Sequence, residues 1–200
     1  MGPQKESDYD EAALIRRAKK NDRAAQGQLY EHHVDAVYRY MLYRSGNHAV
    51  AEDLTAEVFA HMLTSLVRYE DRGLPFGAWL FRIARARLVD YWRSTKRREA
   101  QIVALPEDLE TLLVSDDSQV GSQEYEDLAQ ALTYLTEAER EVVLLRFASE
   151  LDNHDIALIV QRHPNAVKSM MYRALRKLRE ILLRQEQFYD SDPEGREFYE

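Results

Sequence analysis

The chain has 200 residues, of which 45% are hydrophobic and 31% charged, and a formal net charge of −8; this is enough for one domain or two small ones. The absence of cysteine excludes disulfides and thiolate metal sites, and no apolar run approaches the roughly 20 residues of a membrane span. Only 7 glycines and 5 prolines interrupt helical periodicities throughout, so an all-α fold is expected; the N-terminus lacks the apolar core of a signal peptide, so a cytoplasmic location is expected.

In chain order, Asp8 or Asp10 caps a first helix with Leu14, Ile15 and Ala18 inward. A second helix places Leu29, Val34, Val37, Tyr38, Met41 and Leu42 on its apolar side and stops at Ser45-Gly46. His32 and His33 are adjacent, so a helix points them in different directions; a metal pair needs a spacing of three or four. Asn47 opens a third helix with a seam of Leu54, Val58, Met62 and Leu66, ended by Arg72-Gly73. Glu52, Asp53 and Glu57 gather on it as an exposed acidic set, suited to solvent or to a basic partner.

The stretch from Pro75 to Arg98 inverts the charge of the chain. Arg82, Arg85, Arg87, Arg93, Lys96, Arg97 and Arg98 face the single acid Asp90, a local balance of +6. Pro75 suits a first helical position, and Leu80, Ala84, Leu88 and Tyr91 build one apolar face with Phe81 and Trp92 beside it. Arg82, Arg93 and Arg97 lie opposite, with Lys96 beside them. Phe76, Trp79, Tyr91 and Trp92 are interleaved with the arginines. Cations suit phosphates and aromatic faces suit unstacked bases, so the mixture fits partly opened nucleic acid; core packing is the alternative for these rings.

From Glu99 to Asp127 nine acids meet no lysine or arginine, and Pro106, Ser115, Ser118, Gly121 and Ser122 break the periodicity. This reads as a linker between two domains. Beyond it, Leu128, Leu132 and Leu135 lie on a short helix. Thr136 and Glu139 form a capping box for a helix burying Val142, Val143, Leu145 and Phe147. Asp152, with Asp155 three residues on, caps a helix containing Ile156, Ala157, Ile159 and Val160. After a break at Gln161–His163, Pro164 starts a last helix with Val167, Met171, Leu175, Leu178 and Leu182 inward. Lys168, Arg173, Arg176, Lys177 and Arg179 lie on or beside its outer face. Two helices across a tight turn, the second basic, read as a helix-turn-helix. His154 and His163 flank that turn as turn or backbone-contact residues. The acidic tail from Glu186 carries Phe188, Tyr189, Phe198 and Tyr199, and disorder is the expectation there.

No glycine-rich phosphate loop, HExxH spacing or nucleophile elbow is present, so the chain reads as a non-enzyme that needs no metal or cofactor. A stand-alone helix-turn-helix regulator would account for the C-terminal half. It leaves the acidic set at 52–57 and the aromatic-basic stretch without a task.

Taken together, AEDLTAEVF at 51–59, FGAWLFRIAR at 76–85 running into LVDYWRSTKRR, and LTEAEREVVLLRF at 135–147 followed by IALIV and NAVKSMMYRALRKLR resemble the extracytoplasmic-function (ECF) sigma factors, specificity subunits of bacterial RNA polymerase. The resemblance covers about Glu11 to about Leu183. It implies a region 2-like domain at 8–98, an acidic linker at 99–122, a region 4-like helix-turn-helix domain at 123–185 and a tail at 186–200. It further implies that Glu52, Asp53 and Glu57, with Leu54, Val58 and Phe59 behind them, dock core RNA polymerase. Trp79, Arg82, Arg85, Arg87, Tyr91, Trp92, Arg93, Lys96 and Arg97 would meet the minus-ten element and its opened strand. Asn165, Lys168, Ser169, Tyr172, Arg173 and Arg176 would meet the minus-thirty-five element. Most relatives are also held by an anti-sigma partner, and no membrane association is implied. Where the family has asparagine this chain has Ala86, where its turn has glycine and an apolar residue it has Gln161 and Arg162, and Met170 stands at an often basic position.

Overall fold

The computed structural model describes residues 10–70, 74–101, 123–149 and 151–191. All regular elements among them are helical. The chain divides into two compact units, Met1–Glu110 and Thr111–Glu200.

The N-terminal unit contains α1 (Glu11–Ala18), α2 (Arg23–Ser45), α3 (His48–Ser65), a 3-10 turn (Leu66–Arg68) and α4 (Phe76–Gln101). Its helix ends follow local chemistry. Asp10 accepts the Ala13 N–H at 2.9 Å and Asn47 accepts that of Val50 at 3.0 Å, each satisfying an orphan donor of a first turn. Gly46 closes α2 at φ 69°, a left-handed conformation that costs glycine nothing. The expected third helix ends sooner than its apolar seam, at Ser65, because Leu66–Arg68 tightens into the 3-10 turn; Arg72 and Gly73 lie outside the described residues. Pro75 sits one position before α4, its carbonyl accepting from Trp79 at 3.0 Å.

Helix α2 packs against α1, α3 and α4, and α3 against α4. Leu29, Val37, Tyr40, Met41, Val58, Met62, Leu66, Phe76, Leu80, Phe81 and Leu88 fill the space between them. Tyr40, absent from the expected apolar side of α2, meets Phe81 edge-on at 5.5 Å. Phe76, read as a base-stacking candidate, belongs to the core: its ring lies 5.5 Å from Tyr69, 5.4 Å from Trp79 and 5.3 Å from His33. His33 also pairs with Glu11 at 3.1 Å, and Lys19 donates to the Tyr69 carbonyl at 2.7 Å, so α1 is fastened to α2 and its end to the segment after the 3-10 turn.

The C-terminal unit comprises α5 (Gln123–Thr133), α6 (Glu137–Ser149), α7 (Asn153–Val160) and α8 (Pro164–Ser191). Helix α8 packs against α5, α6 and α7. Its core contains Leu132, Leu135, Val142, Leu145, Ile156, Ile159, Val167, Ala174 and Leu178. Three inward assignments fail. Phe147 is 66% exposed, Leu175 42% and Leu182 40%, while Leu144 and Ala174 are buried. Helices that seat an alanine approach closely, so α8 turns Ala174 rather than Leu175 toward its neighbours. Helix α4 extends into the expected linker as far as Gln101, and α8 continues to Ser191 across the start of the expected tail. The remaining linker and tail residues, 102–122 and 192–200, lie outside the described residues.

Candidate nucleic-acid and partner interfaces

Three surfaces carry the expected site residues. On α3, Glu52, Asp53 and Glu57 are all exposed, whereas Leu54, Val58 and Phe59 are buried. The three apolar residues therefore lie beneath the acidic surface and shape it from within the unit. Phe59 holds the neighbouring Tyr30 ring edge-on at 4.7 Å. Tyr30, Leu63 and Val67 are exposed near this face, an apolar extension that the periodicity of α3 alone did not reveal.

On α4 the expected residues separate into two groups. Arg82, Trp92, Arg93, Lys96 and Arg97 are exposed. Only loose local contacts restrain them: Arg93 lies 3.9 Å from Asp90, and Arg97 Nε donates to the Arg93 carbonyl at 3.3 Å. Ion pairs at such exposure contribute little, so these side chains are free to turn to another anion. The other group is engaged inside the unit. Arg87 reaches back to α3, its guanidinium 3.3 Å from His61 Nδ1, and its Nε is buried without a hydrogen-bond partner. Arg85 is half-buried. Trp79 is half-buried between Tyr69, at 4.9 Å, and Phe76. Tyr91 is half-buried and meets Trp92 edge-on at 5.3 Å. Trp92, 37% exposed, is thus the aromatic ring on α4 most open to a stacking base.

The third surface is built on α7 and α8. Asp152 caps α7, accepting from His154 and Asp155 N–H groups at 2.8 Å each. Gln161 ends it in the left-handed region at φ 56°, and Arg162 N–H returns to the Ala157 carbonyl at 3.0 Å. A glutamine thus adopts the turn that glycine would take without strain. His163 Nδ1 accepts the Asn165 N–H at 3.2 Å and so caps α8, in the backbone-contact role its position suggested. Asn165, Lys168, Ser169, Tyr172 and Arg176 are exposed along the outer side of α8.

Arg173 departs from that set. Its Nε lies 3.4 Å from Oε1 of Glu139 on α6, and Lys177 Nζ lies 2.7 Å from Oε2. The expected capping box is present around the same carboxylate: Thr136 N–H donates to it at 3.1 Å and Thr136 Oγ1 at 3.0 Å, while Glu139 N–H donates to Thr136 Oγ1 at 3.3 Å. The hydrogen bond from Lys177, joined by those from Thr136, pulls the Glu139 carboxyl down to about 2 against the opposing effect of burial. The capping-box spacing signalled the cap; nothing in the spacing signalled the bond to α8. Phe147, Met171 and Leu175, with Arg146 and Asn153, line a shallow groove on another side of this unit. Among the described residues no cluster of histidine and carboxylate side chains could hold a metal, and no helix is long and apolar enough to cross a membrane.

Comparison with known proteins agrees with this division. The model of sigma-70 region 2 matches residues 29–98 and that of sigma-70, region 4 matches residues 125–178. The chain is 35% identical over 170 residues to the ECF RNA polymerase sigma factor BldN of Streptomyces coelicolor, covering 84% of this chain but 64% of that protein, slightly less than two thirds of its length. It is 30% identical over 179 residues to the ECF RNA polymerase sigma factor ShbA of Streptomyces griseus, covering 84% of this chain and 93% of that one. Among solved structures it is similar to the sigma factor RpoE of Bartonella quintana, crystallised with the anti-sigma factor NepR. That similarity has 26% identity and a TM-score of 0.64, over 78% of this chain and 95% of that one. The chain belongs to the ECF RNA polymerase sigma factor family.

Proposed function

We propose that this family member directs core RNA polymerase to promoters: α3 docks the polymerase, α4 engages and helps open the minus-ten element, and α8 reads the minus-thirty-five element. The observation that carries the reading is the division of α4 into two sides. Leu80, Ala84 and Leu88 are anchored in the core while Arg82, Trp92, Arg93, Lys96 and Arg97 stand clear of it. A rigid helix then presents cations to phosphate and a ring to an unstacked base without reordering the protein. Stacking on Trp92 would return roughly 1–3 kcal/mol per base, comparable to the few kcal/mol that extrusion costs. That near-balance suits reversible strand opening.

The charge distribution supports dependence on polymerase. The segments 75–98 and 162–184 each carry +6, so the rest of the chain carries −20 against the total of −8. The acidic remainder repels phosphate, and the free protein binds promoter DNA weakly at physiological salt. Docking of Glu52, Asp53 and Glu57 on a basic polymerase surface would remove part of that repulsion. An anti-sigma protein, as seen with the Bartonella quintana relative, is the corresponding inhibitory partner. The action requires no chemistry by this chain and no cofactor, and its place is the cytoplasm, with the polymerase.

Run-off transcription by bacterial core polymerase, with and without the protein, on a genomic promoter library tests the proposal. Start sites that depend on the protein are expected. If core polymerase neither binds it nor initiates, a stand-alone helix-turn-helix regulator becomes the better reading.

A further inference from the structure

A capping-box glutamate ordinarily remains at the surface, since its partner is the backbone at the start of its own helix. Glu139 is instead 4% exposed, the one charged side chain buried among the described residues. Its oxygens hold α6 and α8 together: Oε2 receives Thr136 and Lys177, and Oε1 faces Arg173. At about 100° per residue, Asn165, Lys168, Ser169, Tyr172 and Arg176 occupy one arc of α8 roughly 100° wide. Arg173 and Lys177 lie at its margin, roughly 80–120° from Asn165 on the same reckoning. The carboxylate therefore grips the flank between the outer arc and the buried side at Val167, Ala174 and Leu178.

Aliphatic packing selects which side of α8 faces the core, but it is non-directional and sets the last small rotation about the axis less sharply. A charge-assisted hydrogen bond is short and directional. We infer that Glu139 is a positioning residue for promoter reading: by clamping Arg173 and Lys177 it sets the rotation of α8, and with it the side chains that meet the base edges. The inference rests on the reading of α8 as the helix that enters the major groove. Two consequences distinguish the clamp from a merely stabilising ion pair. It neutralises two cations beside the duplex, so its removal frees them for phosphate and raises sequence-independent affinity. It also holds one rotational setting, so its removal blurs sequence discrimination. A variant that only loosened the fold would lower both.

The test uses the full-length chain assembled with core RNA polymerase. Glu139→Gln keeps an acceptor for the Thr136 N–H and deletes the charge. On a random-sequence duplex the log–log salt dependence is expected to steepen by up to about 2, at 0.9 per added phosphate contact. The occupancy ratio between a promoter selected by the wild-type protein and a copy with a scrambled minus-thirty-five element is expected to fall about tenfold. Lys177→Met is the second variant, since it leaves Oε1 with Arg173 and the cap intact. It is expected to lower the ratio several-fold without steepening the salt dependence, because the cation itself is gone. A folded Glu139→Gln protein with unchanged ratio and slope overturns the inference, as does a lowered ratio with a shallower slope. If Glu139→Gln does not fold, wild-type discrimination by Lys177→Met overturns it. Indifference of the wild-type holoenzyme to the scrambled element would remove the groove assignment and the clamp together, a result visible before any variant is made.

Discussion

Acid unfolding offers a measure of the Glu139 carboxylate that needs no DNA. Its native carboxyl lies near 2, against an ordinary 4.5, with the Lys177 hydrogen bond as the largest cause. At about 1.4 kcal/mol per unit the upper bound is about 3 kcal/mol. Lys177 and Arg173 are 37% and 53% exposed, so solvent screens both, and about 2 kcal/mol is the expected contribution. Because the native carboxyl is the more acidic, the contribution is complete above about pH 4.5 and disappears as pH falls toward 2. Glu139→Gln should therefore destabilise the C-terminal unit by about 2 kcal/mol at pH 7 and converge with the wild type near pH 2. Urea unfolding followed by far-ultraviolet circular dichroism between pH 7 and pH 2.5 measures the difference. Both tryptophans, Trp79 and Trp92, belong to the N-terminal unit, so their fluorescence provides an internal control that should not move. A destabilisation that stays constant down to pH 2.5, or one that shifts the tryptophan transition equally, would refute the assignment.

Gln161→Gly should stabilise the C-terminal unit by about 0.5–1 kcal/mol, by relieving a side chain held at φ 56°; a lowered thermal midpoint would contradict this. Asp53→Arg should abolish capture by core polymerase in a pull-down while leaving the melting temperature unchanged, because Asp53 is exposed and reversing its charge disturbs no packing. Retained capture would refute the docking role of α3. Trp79→Ala should cost about 2–3 kcal/mol of stability in the N-terminal unit through the lost Tyr69 and Phe76 contacts. Trp92→Ala should cost under about 1 kcal/mol, yet reduce permanganate reactivity of the opened minus-ten strand. The reverse order of the two effects would exchange their assigned tasks.

The local features were legible because their causes lie within a few residues. The caps at Asp10, Asn47, Thr136 and Asp152 and the stop at Gly46 each satisfy backbone groups next to them, and Pro164 starts α8 where a missing N–H leaves nothing unpaired. The acidic set of α3 and the basic side of α4 were legible because charge alternates with apolar residues at the helical period. The rotation of each helix was less so. Periodicity marks a band of inward candidates, and a shift of one residue turns a helix by about 100°. On α8 the buried side keeps Val167 and Leu178 as expected but takes in Ala174 and leaves Leu175 outside; on α6 it runs through Val142, Val143, Leu144 and Leu145 and leaves Phe147 outside.

The amino-acid sequence by itself determined that this is an all-helical chain in two units, with the acidic and basic surfaces on the helices that bear them. Helix ends and amphipathic faces depend on neighbours near in sequence. Tertiary structure alone decided which charged residues remain available. Arg87 is drawn back to His61 across 26 residues, and Arg173 and Lys177 are drawn to Glu139 across 34 and 38. Whether an arginine faces solvent or a buried carboxylate depends on which helix comes to lie beside it, and no spacing within one helix encodes that.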